Sequence, residues 1–305
     1  MGAEKNQSLI NIRGMESPRP AKRRRTSSSA QAPPAQRTVA APTAPATPPA
    51  SDVDLSSLDD TEKLLNRATH VLATEAAALD HVSRLYQTDS KARQSLVQAV
   101  DAITAAQAGG GKLITCGVGK SAYIAMKLVA TCKSLGIGAS FMHACEAVHG
   151  DLGDVRANDV LLFVSFSGKT PELLGLLPHL PHSTRLMALS SHANMAECKV
   201  LDGRFDSILL SAPIPEKEEV SFGVSAPTSS TTVALAIADM LALTVAEKLH
   251  DNRTRDVFKR NHPGGAIGMT HREVERLAED GVDFTVMELP SPCMTSEEPS
   301  GDDSG

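Results

Sequence analysis

The sequence predicts an α/β fold, a three-layer αβα sandwich around a five-stranded parallel sheet. Two observations support this class. Short apolar or β-branched runs alternate with segments of helical periodicity, and loops rich in Gly, Ser and Thr follow several of the apolar runs. Such alternation is typical of a parallel sheet covered by helices on both faces, which binds ligands at the carboxyl ends of its strands.

The elements can be placed along the chain from these patterns. Leu, Val, Ala and Ile recur at helical spacing in residues 61–86 and 90–108, and a run of three glycines, 109–111, ends the second helix. Further helices are predicted at 120–135, 171–180 and 229–249. Strands are predicted at 113–116, 138–142, 160–165, 185–189 and 207–210.

Composition divides the 305 residues into one domain and two tails. Residues 1–57 are rich in Pro, Ala and Ser and have too few large apolar side chains to offset the entropy of ordering, which predicts a disordered tail. Residues 289–305 are acidic and are also expected to be disordered. The globular domain is therefore placed at residues 58–288.

Net charge and cysteine usage exclude several classes of protein. A net charge of −6 and only nine Phe and Tyr residues, without Trp, argue against nucleic acid as a partner. Five scattered cysteines without C-x-x-C spacing indicate neither a disulfide framework nor a zinc ribbon. We find no secretory signal and expect no apolar run long enough to span a bilayer. We therefore expect no membrane partner and a cytoplasmic location.

A basic patch in the N-terminal tail leaves a nuclear location open. Lys22-Arg-Arg-Arg25 follows Pro18 and Pro20 and is typical of a nuclear-localisation signal. A solvated basic spot in a disordered tail explains the same residues equally well.

Three loops rich in small and hydroxyl residues predict a phosphate site. Small residues let backbone amides approach an anion, and hydroxyls at a helix N-terminus complete its hydrogen bonds. A dinucleotide site is weakly supported, because His143 ends the second strand where an acidic residue is needed to bind the ribose. A P-loop is excluded, because it needs glycine five residues before the Gly of Gly119-Lys-Ser121, and Ile114 stands there. The candidate phosphate-binding residues are Gly117, Gly119, Ser121, Ser165, Ser167, Thr170, Thr228, Ser229 and Ser230.

Five motifs together resemble those of a known family, the arabinose-5-phosphate isomerases, which belong to the sugar isomerase (SIS) domain group. Their order and spacing agree with the family over roughly residues 60–270. The motifs are Gly117-Val-Gly-Lys-Ser121, Glu146-Ala-Val-His-Gly-Asp-Leu-Gly153, Ser165-Phe-Ser-Gly168 with Glu172, Ala226-Pro-Thr-Ser-Ser-Thr-Thr232 and His262-Pro-Gly-Gly-Ala-Ile-Gly268.

The resemblance implies a flavodoxin-like SIS domain that interconverts D-arabinose 5-phosphate and D-ribulose 5-phosphate through an enediol, without a cofactor. Lys120, Glu172, Glu219 and His262 fall on the family's catalytic positions. Glu219 would shuttle the proton between C1 and C2, Lys120 would polarise substrate oxygens or bind phosphate, and His262 would open the sugar ring. Without the resemblance, Glu172 would be interpreted as a helix-dipole charge and Glu216–Glu219 as a solvated charge run.

The resemblance also implies features outside these four residues. In the family the segment that contains His149 shapes the active site, so His149 is a further candidate substrate-binding residue, and its position can take up a divalent metal not required for turnover. The spacing of His143, Glu146, His149 and Asp151 does not by itself fix a metal site. We therefore predict no essential metal. Bacterial members often continue into paired CBS domains, which we do not expect here. Small SIS domains usually complete their sites across subunits, which predicts a homodimer or homotetramer.

Two departures from the family leave the substrate open. The stretch from Val220 to Ser225 differs from the family, with its glycine displaced to Gly223, and Lys169 replaces a usual Glu. One alternative function is therefore isomerisation of another phosphosugar. The other is a non-catalytic sugar-phosphate sensor, because SIS domains also serve as regulatory modules.

Overall fold

The computed structural model of the protein describes residues 59–263 and the single position 276. The five predicted strands form one parallel sheet in the order β2-β1-β3-β4-β5, which confirms the predicted fold class. The predicted tails, the basic patch and most of the motif that begins at His262 lie outside the described residues. The strands are β1 (Leu113–Gly117), β2 (Ala139–His143), β3 (Val160–Val164), β4 (Arg185–Ser190) and β5 (Ile208–Ser211).

Helices cover both faces of this sheet. They are α1 (Asp60–Thr88), α2 (Ser90–Ala108), α3 (Lys120–Ser134), α4 (Ala144–Ala147), α5 (Pro171–Leu174), α6 (Glu218–Phe222), α7 (Ser229–His250) and α8 (Thr254–Asn261). Single 3₁₀ turns lie at Asp151–Asp154, Leu177–His179, Met195–Glu197, Lys199–Leu201 and Asp251–Arg253.

The strands are buried on both faces because side chains alternate between two apolar clusters. In β3, Leu162 and Val164 belong to the cluster beneath α1, α2, α3 and α7, whereas Leu161 and Phe163 belong to the cluster beneath α4 and α5. The resulting layers are helix, sheet and helix. The two longest helices of the described chain, α1 and α7, pack on the same face of the sheet. The candidate site lies on that side.

Two sequence predictions differ from the observed fold. The helix predicted at 171–180 ends at Leu174 and continues as a 3₁₀ turn at Leu177–His179. Gly175 and Pro178 account for this, because glycine weakens a helix interior and proline cannot donate the next backbone hydrogen bond.

The expectation that no apolar run is long enough to cross a bilayer is wrong, because one helical stretch of the described chain has sufficient length and apolar composition. The stretch Ser229–Asn261 has 33 residues and is apolar enough, but 56% of its most apolar window is buried within the protein. Val233, Ile237, Leu241 and Val245 pack into the cluster on one side of the sheet. The run is therefore apolar because α7 is a core helix.

Candidate active site

A cavity of about 460 Å³ opens at the carboxyl ends of the strands, between the N-terminal ends of α3 and α7. Its volume lies within the usual range for small-molecule sites. Apolar side chains from the strand ends form its floor, and charged and hydroxyl residues surround it. Its lining consists of Val118, Lys120, Ser121, Ile124, Val164, Phe166, Leu189, Ser190, Ala212, Ile214, Lys217, Glu218, Glu219, Ser225, Pro227, Ser230, Thr231 and Ala234.

The Gly117 loop brings the start of α3 to this cavity. A Cβ on Gly117 would lie 3.0 Å from the Ser121 carbonyl, so only glycine lets the end of β1 pass this close to the helix. Gly119 has φ 56° and precedes α3 without any side-chain cap. The first-turn residues Lys120 and Ser121 line the cavity, and neither side chain makes an ion pair or hydrogen bond with the described part of the chain.

The short helix α6 carries Glu219 to the opposite side of the cavity. Glu219 is exposed, and the Ser225 hydroxyl donates a long hydrogen bond of 3.4 Å to its Oε2. Gly223 adopts φ 76° and ends α6, since a left-handed residue at this position is a common helix C-cap. The glycine that departs from the family pattern therefore ends the helix that carries the candidate catalytic glutamate.

The N-terminus of α7 is occupied by the carboxylate of Glu218. Glu218 Oε1 accepts hydrogen bonds from the Thr228 amide at 2.5 Å, the Ser230 amide at 3.0 Å and the Ser230 hydroxyl at 2.8 Å. The Thr231 hydroxyl donates to the Thr228 carbonyl at 2.8 Å, and the Ser229 hydroxyl is buried without a partner among the described residues. Of the predicted phosphate binders on α7, only Ser230 lines the cavity.

The loop after β3 is held by its own hydroxyls. Ser165 is 1% exposed, and its Oγ lies 2.7 Å from the Thr170 Oγ1. His192 Nε2 donates to the Ser167 carbonyl at 2.8 Å, while Ser167 itself is exposed. From this loop Phe166 reaches the cavity, whereas the predicted binders Ser165, Ser167 and Thr170 are not in its lining.

Two of the four predicted catalytic residues lie away from the cavity of the single chain. Glu172 is exposed on α5, whose neighbour Leu173 belongs to the cluster on the other face of the sheet. His262 contacts the far end of α3, where its Nε2 lies 3.3 Å from the Ser134 hydroxyl and its Nδ1 donates to the Phe258 carbonyl at 2.8 Å. Because a helix of 15 residues is about 22 Å long, one chain does not bring His262 to Lys120.

The segment after β2 does not join the cavity either. His149 is exposed in the turn after α4, and its amide donates to the Glu146 carbonyl at 2.9 Å. The His143 ring accepts from the Cys145 amide. Within the described ranges, no group of three or more His, Cys, Asp or Glu side chains is arranged to hold a metal ion. That turnover needs no metal stays a prediction.

The thiol of Cys116, directly before the Gly117 loop, is fully buried. Burial raises the pKa of its thiol to about 12, and nearby Cys145 adds to the shift. The thiol therefore stays protonated at neutral pH, and the thiolate is the reactive form.

Sequence reasoning missed six polar or aromatic residues of the cavity wall, namely Phe166, Ser190, Lys217, Glu218, Ser225 and Thr231. Lys217 and Glu218 were assigned to a solvated charge run, although Lys217 lines the cavity and Glu218 is half-buried. Phe166 is 41% exposed with its ring at the cavity. Its place directly after Ser165, within a predicted phosphate loop, was the available signal for Phe166. Glu218 had no local signal, because its partners lie ten and twelve residues further along the chain.

Comparison with known proteins agrees with this architecture. The SIS domain family matches residues 108–189. Arabinose 5-phosphate isomerase KpsF of Escherichia coli is 32% identical over 218 residues, which cover 71% of this chain and 61% of KpsF. Arabinose 5-phosphate isomerase GutQ of E. coli K12 is 35% identical over 212 residues, which cover 68% of this chain and 59% of GutQ. The chain thus spans less than two thirds of either relative.

Solved structures extend the likeness to three dimensions. An E. coli CFT073 protein in complex with arabinose 5-phosphate has a TM-score of 0.56 and 30% identity, with 68% of this chain and 100% of that protein covered. A Listeria monocytogenes protein described as a putative sugar-phosphate isomerase has a TM-score of 0.53 and 26% identity, with the same coverage. The chain belongs to the arabinose 5-phosphate isomerase family of SIS-domain proteins.

Proposed function

We propose that the protein interconverts D-arabinose 5-phosphate and D-ribulose 5-phosphate through an enediol intermediate. The observation that carries this proposal is that Lys120 and Glu219 line the same cavity. Isomerisation of an aldose phosphate needs a base for the C2 proton and a positive charge near the oxygens that become negative. The cavity supplies one candidate for each role.

In the proposed reaction the Glu219 carboxylate removes the proton from C2 of the open-chain aldose. The electrons of that C–H bond form the C1=C2 double bond, and O1 takes up a proton to give the enediol. O2 then loses its proton, the C2 carbonyl forms, and Glu219 returns a proton to C1. The Lys120 ammonium stabilises the charge on O1 and O2 as it develops.

The same cavity offers a place for the substrate's phosphate. The uncapped start of α3 presents backbone amides, the Ser121 hydroxyl and the positive end of the helix dipole. At α7 the equivalent donors already bind Glu218. We therefore place the phosphate on the α3 side, beside Lys120, and the reacting carbons on the α6 side beside Glu219.

We further propose that a second copy of the chain completes the site with its own His262. Lys120 and Glu219 are exposed in the single chain, and enediol chemistry needs a site from which water is excluded. The N-terminal half of α1 carries apolar side chains that no other part of the described chain covers: Leu64 is 67% exposed, Leu65 55% and Leu72 69%. Exposed apolar side chains on one helix are typical of an interface between subunits.

The test is incubation of the purified protein with D-arabinose 5-phosphate in deuterium oxide, with a chelator and without nucleotide, followed by NMR. We expect formation of D-ribulose 5-phosphate and deuterium at C1 of the ketose, because the proton on Glu219 exchanges with solvent. Absence of conversion would reject the proposal. Thermal stabilisation by the same sugar without conversion would favour a sugar-phosphate sensor, and turnover of other sugars in a panel would favour a different phosphosugar substrate.

A further inference from the structure

The half-buried Glu218 serves as the cap of α7 although it lies ten residues before Thr228. Thr228 itself provides no side-chain cap for the helix. Glu218 Oε1 instead takes hydrogen bonds from the amides of Thr228 and Ser230 and from the Ser230 hydroxyl. A carboxylate at this position satisfies amides that have no partner within the helix and interacts favourably with the helix dipole. The contact therefore ties the start of α6 to the start of α7.

The other end of α6 is tied to α1. The Arg67 guanidinium donates to the Phe222 carbonyl at 2.5 Å and lies 5.8 Å from the centroid of the Phe222 ring. His70 Nε2 donates to the Ser221 carbonyl at 3.0 Å. These donors satisfy carbonyls at the C-terminal end of α6, where the helix leaves them without internal partners. A helix of five residues is thus held at both ends by side chains distant in sequence.

Glu219 follows Glu218 directly and is fixed by few contacts of its own. The 3.4 Å hydrogen bond from Ser225 is the polar contact of its carboxylate within the described residues, and it forms no ion pair there. The position of its backbone therefore depends on the anchors of α6. Since Glu218 binds α7 and α7 lines the cavity through Ser230 and Thr231, the Glu218 contact sets the place of Glu219 in the cavity wall.

We propose that Glu218 is a positioning residue, which holds Glu219 at the working distance from the substrate through its hydrogen bonds to α7. This inference rests on the proposed isomerase function for its catalytic consequence. It does not make Glu218 a group that touches the reacting atoms. Misplacement of a reacting group by about 1 Å can lower a rate by about 10²-fold, so the anchor has a measurable effect on kcat.

The test compares Glu218→Ala with Glu218→Gln in the NMR isomerase assay. The alanine variant loses all the bonds to α7, and we expect kcat to fall by about 10²-fold while KM changes little. Glutamine keeps an oxygen that accepts from Thr228 and Ser230, so E218Q should retain most of the wild-type kcat. Wild-type kcat in E218A would overturn the proposal. A loss in E218Q equal to that in E218A would also overturn it, because the charge and not the anchor would then matter.

Glu247→Ala provides the matched control. It removes an exposed glutamate from the opposite end of α7, and we expect wild-type kcat. Loss of activity in this control as great as that in E218A would overturn the assignment, because any change of charge on α7 would then have the same effect.

Hydrogen exchange separates failure of this inference from failure of the proposed function. In peptides covering residues 216–232, amide exchange should be faster in E218A than in wild type and near wild type in E218Q, because the Thr228 and Ser230 amides lose their acceptor only in E218A. Unchanged exchange in E218A would overturn the anchor whatever the activity. An inactive wild type with the expected exchange pattern would reject the isomerase function and the catalytic part of the inference, while the anchor of α6 would be supported.

Discussion

The N-terminal ends of α3 and α7 face the same cavity but differ in what already occupies them. Lys120 and Ser121 of α3 line the cavity, as do Ser230 and Thr231 of α7. The start of α3 has no side-chain cap. The start of α7 holds the Glu218 carboxylate through two amides, the Ser230 hydroxyl and, at 3.4 Å, the Thr228 hydroxyl. Within the described residues, one helix end is thus open to an external anion, and the other binds a carboxylate that the chain supplies itself.

The comparison shows that a hydroxyl-rich helix start does not by itself mark a phosphate site. In the sequence, the run of Ser and Thr at the start of α7 and the glycines directly before α3 both predict an anion site. In the fold, the hydrogen-bond donors at the start of α7 bind Glu218, at the start of α6. This difference supports the proposed division of tasks, with phosphate binding at α3 and support of the candidate catalytic residue Glu219 at α7.

The largest effect expected on either side of the cavity comes from Glu219→Gln. Loss of a general base lowers turnover by roughly two to four orders of magnitude, and His262→Ala should have an effect of similar size if the histidine opens the ring. Turnover by NMR is the measurement. Mixing the two inactive variants should restore part of the activity, because a mixed dimer would contain one site with intact Glu219 and His262.

Two outcomes would contradict this prediction. Near-wild-type turnover in both variants would remove Glu219 and His262 from the mechanism. Failure of the mixture to regain activity, with subunit exchange demonstrated by mass spectrometry, would show that His262 acts at a distance within its own chain or has no role in catalysis.

A smaller effect is expected from Lys120→Ala on the α3 side. Hydrogen bonds to a charged group contribute about 1.5–3 kcal/mol, so affinity for inorganic phosphate should fall by about one to two orders of magnitude. Calorimetric titration with inorganic phosphate measures this loss of affinity. Lys217→Ala is the matched control, because Lys217 also lines the cavity but lies on the α6 side. A larger loss in the Lys217 variant would move the phosphate to the other end of the cavity.

The sequence predicts most of the fold because the fold depends on local periodicity. The predicted bounds of the five strands lie within one residue of the observed bounds, since runs such as Val160–Val164 are buried on both faces and apolar throughout. The helix predicted at 171–180 is too long because apolar residues continue at helical spacing past Gly175 and Pro178, which interrupt the helix. The short helices α4 and α6 were not predicted, because four or five residues are too few to show a helical period.

The candidate site was predicted only where a local motif determines it. Gly117, Gly119 and Lys120 form a strand–turn–helix unit, so their place at the cavity follows from neighbouring residues. Glu218 contacts residues ten and twelve positions away, and Arg67 contacts Phe222 across 155 positions. Pairings at such separations depend on the packing of whole helices, which no spacing rule in a single sequence supplies.

The smallest effects are expected when one hydroxyl is removed at the start of α3 and one at the start of α7. Ser121→Ala removes a hydroxyl that binds nothing among the described residues, so we expect unchanged thermal stability and a roughly tenfold loss of phosphate affinity. Ser230→Ala removes a hydrogen bond to Glu218, so we expect phosphate affinity near wild type and a loss of about 1 kcal/mol in the free energy of unfolding, about 2–4 °C in Tm. Calorimetric titration and thermal melts of both variants measure the four values. The reverse pattern, with Ser230 needed for phosphate and Ser121 for stability, would exchange the tasks of the two helix ends and require that the substrate displaces Glu218 from α7.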